Sequence, residues 1–228
     1  MSSMPAPMIP YTPQRLDPDT QQQRSLAFFE EMDGRRSVRF FSDDPVPRGL
    51  IETAIRTAST APSGAHRQPW TFVITGDPEI KRQIRVAAEE EEKVNYEERR
   101  LPPHWRDALE PLGTDWHKPF LETVPWVVVM FEQRYGVARD GSRLHNYYVK
   151  ESAGIAAGLF IASLHHMGLA TLTHTPSPMA FLTSLLERPE NERPFCMFPI
   201  GYPADDCVVP DLKRKPLDEV MVEVSTTP

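Results

Sequence analysis

Apolar residues at Leu50, Ile51, Ala54, Ile55 and Ala58 recur three and four apart, the period of one helical face, and Thr60-Ala61-Pro62-Ser63-Gly64 breaks that pattern into a loop. Trp70 to Thr75 then reads as a strand. From Pro78 the helical period returns and runs through the acidic stretch Glu89-Glu90-Glu91-Glu92 to Tyr96 or slightly beyond. Between Leu101 and Lys118, prolines, aromatics and charges follow no period, which predicts an irregular, mobile cover. Trp126 to Phe131 is apolar without polar alternation, so both faces should be buried and the strand central. Tyr147 to Met167 predicts a core helix whose Ala153, Gly154, Ala156, Ala157, Gly158 and Ala162 would let another helix approach closely, including one from a second subunit. Leu169 to Thr173 and Phe195 to Gly201 read as further strands, separated by a helix around Phe181 to Leu186.

The two ends differ from this middle. Residues up to about Gln21, rich in Pro, Ser and Gln, read as an arm, followed by a helix from Gln22 to Met32 that Asp33-Gly34 ends. Val208 through Pro216 mixes prolines with charges and cannot build a core, so it should lie across something else. The predicted organisation is an arm over 1–21, a domain over 22–206 with a lid at about 93–118, and an arm over 207–228. Strands and helices without strict alternation, plus a long buried helix, predict an α+β layered fold. With 228 residues the chain can bury one core and still spare the arms, and 24 prolines against 11 glycines favour extended arms over flexible linkers.

A net charge of −7 argues against nonspecific nucleic-acid binding. The first residues lack the charged and apolar pattern of a leader, and no window approaches the ~20 apolar residues of a membrane span, so a cytoplasmic protein without membrane contact is expected. Cys196 and Cys207 have neither disulfide-framework nor CxxC spacing, and Cys196 reads as a core thiol. The seven histidines show no ligand spacing, so no metal is expected. Neither GxGxxG after a strand nor GxxxxGK[ST] occurs, so any phosphate must be held by side chains. Arg35-Arg36-Ser37-Val38-Arg39 supplies three guanidinium forks and a hydroxyl, with Arg35, Ser37 and Arg39 on one face if the segment is extended. The same run would also serve as a solvated basic turn.

These arginines, with Ala61-Pro62-Ser63-Gly64-Ala65-His66 before Pro69-Trp70, resemble the FMN-dependent nitroreductase superfamily. Glu89 to Glu92 followed by Asn95-Tyr96, Trp116-His117-Lys118, Thr173-His174-Thr175-Pro176, and Val209 through Asp218 are similar, more narrowly, to the iodotyrosine deiodinases. The resemblance implies a nitroreductase-like three-layer fold, a mixed sheet flanked by helices, in a homodimer with exchanged terminal arms. It implies that Arg35, Arg36, Ser37, Arg39 and Arg214 hold FMN, with Pro62, Ser63 and Ala65 lining the flavin from the partner chain. Thr173, His174 and Thr175 would lie near the flavin ring, the Thr175 hydroxyl donating toward N5 as the catalytic contact. His174 departs from the threonine expected in animal relatives, and Arg67-Gln68 stands where Thr-Glu is expected.

Glu92 and Tyr96, four apart on a helix, share a face, and Lys118 can fold back to meet them. A carboxylate, a phenol and an ammonium match a zwitterionic amino acid, so Glu92, Tyr96 and Lys118 are the expected substrate residues, together with Ala65; Glu89 and Glu90 read as a solvated face. The expected activity is FMN-dependent reductive dehalogenation of 3-halotyrosines, with NAD(P)H or a separate reductase as electron source. A generic NAD(P)H-dependent nitroreductase and a non-catalytic flavin or halotyrosine binder are the alternatives.

Overall fold

Asp17 accepts a hydrogen bond from the Thr20 N–H at 2.9 Å, and Pro18 follows in the first turn, where its missing N–H costs nothing. The first helix, α1, therefore spans Pro18–Asp33 and begins four residues before the start predicted at Gln22. The computed structural model describes residues 6–97 and 103–225. Contacts divide the chain into a unit Met1–Arg35, which holds α1, and a unit Arg36–Pro228. No residue of α1 is buried, and Leu26, Phe28 and Phe29 are exposed.

The second unit is built on a four-stranded sheet of order β1-β2-β6-β5: β1 Trp70–Thr75, β2 Trp126–Gln133, β5 Ala170–Thr171 and β6 Glu192–Gly201. All three pairings are antiparallel, which corrects the expected mixed sheet. Among the described residues, parallel pairing enters only at the isolated bridge Ser37–Thr171. As predicted, β2 is interior and buried on both faces. Val128 and Met130 pack with α2 (Arg48–Ala58) and α6 (Val149–His166), while Val127, Val129 and Phe131 pack with α3 (Pro78–Glu97), α5 (Phe120–Thr123) and α7 (Phe181–Leu185). Helices on both faces of one sheet make three layers.

Small side chains set the closeness of the first helical layer: Ala54 and Ala58 of α2 and Ala153, Ala156 and Ala157 of α6 belong to one core cluster. Gly154 and Gly158 lie on the other side of α6, where an added Cβ would meet nothing within 4 Å. The cover expected to be irregular contains α4 (Pro103–Leu109) and a 3-10 turn, Glu110–Leu112, closed by Gly113 at φ +58°. Positions 98–102, within the lid of about 93–118, lie outside the described residues. A hairpin of β3 (Tyr135–Val137) and β4 (Arg143–His145) and a short exposed helix, α8 (Leu217–Val220), complete the unit.

Candidate functional site

Lys118 stands just before α5 and is 3% exposed. Its Nζ lies 3.2 Å from Glu92 Oε2 and 3.2 Å from Thr114 Oγ1, donates to the Asp115 carbonyl, and sits 5.8 Å from the Tyr96 ring centroid. A buried ammonium is costly unless paired, and these contacts pair it. The structure thus brings together all three predicted residues, Glu92 and Tyr96 from α3 and Lys118 from the end of the lid. Burial pushes the Tyr96 pKa up, and the charges of Glu92 and Asp115 add to that rise against the Thr114 hydrogen bond and Arg39. Tyr96 is therefore a neutral phenol. It also lines a pocket of about 280 Å³ with Asp107, Leu109, Glu110 and Thr114 of the lid.

Arg39 approaches the same cluster, and burial lowers its pKa while Tyr96 opposes the shift. His174 completes it from beside β6. Its backbone exchanges hydrogen bonds with Met197 at 2.8 and 3.0 Å, and its ring meets Phe120 edge-on at 5.8 Å. Nε2 is buried without a hydrogen-bond partner. Burial, and then the cations Lys118 and Arg39, bring the His174 pKa down to about 3, so the imidazole is neutral. Extended backbone alternates its side chains, so Thr173 and Thr175 are exposed on the face opposite His174.

The arginine run divides. Arg35 belongs to the first unit, where its N–H donates to the Met32 carbonyl. Arg36 donates to the Pro210 carbonyl and so fastens the C-terminal segment, four residues before the exposed Arg214. Ser37 pairs with Thr171, two residues before Thr173. Pro62 is exposed at the start of a second feature, the loop to Gln68. Three non-glycine residues there have positive φ: Ala65 at 50°, His66 at 55° and Gln68 at 47°. Ser63 Oγ accepts from the Gln68 N–H at 2.9 Å, and Arg67 Nε donates to the His145 carbonyl at 3.1 Å, which ties the loop to β4. Gly64 pairs with Tyr147, where a Cβ would fall 2.6 Å from the Tyr147 oxygen. Ala65 is thereby presented to solvent on a fixed backbone.

Three residues escaped the reading of the sequence. Glu89, expected to be solvated, accepts from the Lys118 N–H at 2.7 Å, whereas Glu90 is exposed as expected. Asn95 is buried and donates from Nδ2 to the Ser177 carbonyl at 2.6 Å, joining α3 to the loop after Thr175. Thr114 links Tyr96 and Lys118. Only the helical spacing of Glu89 from Glu92 could have pointed to any of them.

Residues 32–202 match the model of the nitroreductase family. Over 222 residues the chain is 52% identical to the iodotyrosine deiodinase of Haliscomenobacter hydrossis, covering 97% of this chain and 99% of that protein. It is 44% identical over 217 residues to iodotyrosine deiodinase 1 of Homo sapiens, covering 95% of this chain and 75% of the human one. A crystal structure of oxidized iodotyrosine deiodinase bound to FMN and 3-iodo-L-tyrosine superposes with a TM-score of 0.74 at 29% identity, covering 88% of this chain and all of that one. A BluB-like flavoprotein from Clostridium difficile 630 shares the fold, with a TM-score of 0.66 at 19% identity.

Proposed function

Because the chain belongs to the nitroreductase family and, within it, to the iodotyrosine deiodinases, we propose that it reductively dehalogenates 3-halotyrosines with FMN as its cofactor. The observation that carries this reading is the buried cluster of Lys118, Glu92 and Tyr96. An ammonium, a carboxylate and a neutral phenol gathered at one point complement an amino-acid zwitterion. Glu92 takes the substrate ammonium, and Lys118 and Tyr96 take its carboxylate. Lys118 and Glu92 pair with each other at 3.2 Å, so a zwitterion placed between them exchanges one ion pair for two.

The residues present fit FMN. Arg36 and Arg39 offer donors only, the type of group that phosphate oxygens require, and Ser37, Thr173 and Thr175 add hydroxyls along the neighbouring backbone. Arg35 and Arg214 add charge, and Pro62, Ser63 and Ala65 line the flavin and substrate across a dimer interface. Bound there, FMN would supply the two electrons that, with one proton, convert the aryl halide to the arene and halide. The chain's own part is to grip the zwitterion, to hold the phenol ring in one orientation, and to exclude water with the lid at about 93–118. Thr175 would turn its hydroxyl toward flavin N5, and the neutral His174 keeps a further positive charge away from Lys118 and Arg39.

The arms at 1–21 and 207–228 serve a homodimer, each embracing the 22–206 domain of the other copy. Exposed Leu217, Val220, Met221 and Val222 support that role. Among the described residues no helix is long and apolar enough to cross a membrane, and the free Cys196 and Cys207 suit the reducing cytoplasm. NAD(P)H or a separate reductase supplies the electrons.

The test compares 3-iodotyrosine with 2-iodophenol, which has the ring and halogen but no zwitterion. Losing one charge-assisted contact costs roughly 1.5–3 kcal/mol, or about ten- to a hundredfold. Lys118→Ala and Glu92→Gln should therefore weaken iodotyrosine binding by that factor and leave iodophenol nearly unchanged, as read by quenching of FMN fluorescence. Wild-type discrimination in both variants would remove the basis for this assignment.

A further inference from the structure

Five side chains of α3 fall on one stripe. At about 100° per residue, Lys81, Arg85, Glu89, Glu92 and Tyr96 lie within an arc of roughly 80°. Glu92 and Tyr96 form the ligand end of the stripe, and the other three grip the segment from Lys118 to Val124. Lys81 Nζ donates to the Glu122 carbonyl at 3.0 Å and to the Val124 carbonyl at 2.7 Å. Arg85 Nε meets the Glu122 carboxylate at 2.5 Å, and its Nη1 meets Glu89 Oε2 at 2.8 Å. The other Glu89 oxygen, Oε1, accepts from the Lys118 N–H at 2.7 Å. Both oxygens of this half-buried carboxylate are thus committed, one to a cation that aims it and one to the backbone of the residue that holds Glu92.

We propose that Glu89 is a positioning residue for substrate capture: oriented by Arg85, it fixes the Lys118 backbone to α3 and so places the Lys118 ammonium over Glu92 and Tyr96. Lys118 is otherwise held by Thr114 and Asp115 on its own segment, by Glu92 through its ammonium, and by the Leu121 N–H on its carbonyl. The Glu89 bond ties the Lys118 backbone, rather than its flexible side chain, to the helix that carries its two partners. An ammonium on a four-carbon stem has many rotamers, and a fixed Cα removes part of that freedom before ligand arrives. Glu89 touches no ligand in this scheme. The proposal rests on the substrate assignment above.

Two variants and two readouts test it. Glu89→Ala should raise the Kd and KM for 3-iodotyrosine about tenfold while the Kd for 2-iodophenol and the FMN content stay within about twofold of wild type. Glu89→Gln, whose amide oxygen can accept from the Lys118 N–H only with its NH2 turned onto the Arg85 donor, should recover part of the loss. Independently of any ligand, hydrogen exchange at the Lys118 amide should be slow in the wild type, intermediate in Glu89→Gln and fast in Glu89→Ala. An Ala variant that keeps both the protected amide and the iodotyrosine preference would overturn the proposal. So would an equal weakening of both ligands, which marks general damage to the fold. If the wild type itself did not prefer iodotyrosine, the substrate assignment would fail, and the exchange data would still report on the tether.

Discussion

A histidine buried beside two cations cannot accept a proton without large cost, and His174 is in that position, with its pKa brought down from 6.5 to about 3. The unfolded chain gains this proton as pH falls below about 6.5, whereas the native chain resists until about 3. Over that window the unfolded state binds more protons, so stability rises with pH and is lost on acidification, with a limiting slope of about 1.4 kcal/mol per pH unit from this one group. In His174→Thr the loss of stability between pH 6.5 and 4.5, followed by urea unfolding, should be correspondingly shallower. Parallel pH profiles for the two proteins would mean that the imidazole is protonated in the native state. Cys196 shows the same cause acting on a group of opposite charge: burial pushes its thiol up to about 12 and keeps it an inert core residue, as its apolar neighbours in sequence suggested.

At the scale of elements, what could be read in advance depended on how many residues carried each signal. Trp70–Thr75 and the core of β2 were legible because apolar residues fill them, and α2, α3 and α6 because their periods run for three turns or more. Three-residue strands such as β3 and β4 have no room for alternation, and their pairing is set by the neighbouring loop, so the hairpin was invisible. The start of α1 was readable in Asp17-Pro18 but was obscured by the polar composition around it. Glu92, Tyr96 and Lys118 could be proposed from residue type and spacing, whereas Glu89 shares their helical spacing but its partner, a backbone N–H almost thirty positions away, leaves no mark in the sequence. Gly64 also acquires its meaning only in the fold. Its missing side chain lets the loop backbone lie against Tyr147, just before α6, and Gly64→Ala would put a methyl 2.6 Å from the Tyr147 oxygen and 3.0 Å from its carbonyl carbon. Overpacking of backbone against backbone should cost about 1–3 kcal/mol. A lowered urea midpoint with unchanged m-value would register it, and wild-type stability would mean that the loop yields freely.

For the molecule as a whole, the face of α6 that carries Gly154, Ile155 and Gly158 is the place to probe assembly. Ile155 is 47% exposed, and the two glycines have open space beside them. In an isolated protomer Gly158→Leu meets no neighbour and gains helix propensity, so it should be tolerated. In a dimer closed across this face the same leucine would block close approach, and sedimentation at micromolar concentration should show monomer together with lost flavin. A variant that remained dimeric and yellow would move the interface elsewhere. The mutual pairing of Lys118 and Glu92 has a further consequence for a protein of net charge −7. Such a charge repels anions at long range, and added salt would relieve that repulsion. A zwitterion carries no net charge for the distant field to act on, and inside the site it replaces a neutral pair with two neutral pairs. Halotyrosine affinity should therefore change by less than about twofold between 20 and 500 mM salt, where the Debye length falls from roughly 20 to 4 Å. Titrations across that range would show a capture step whose strength is independent of the ionic surroundings, although every group that performs it is polar or charged.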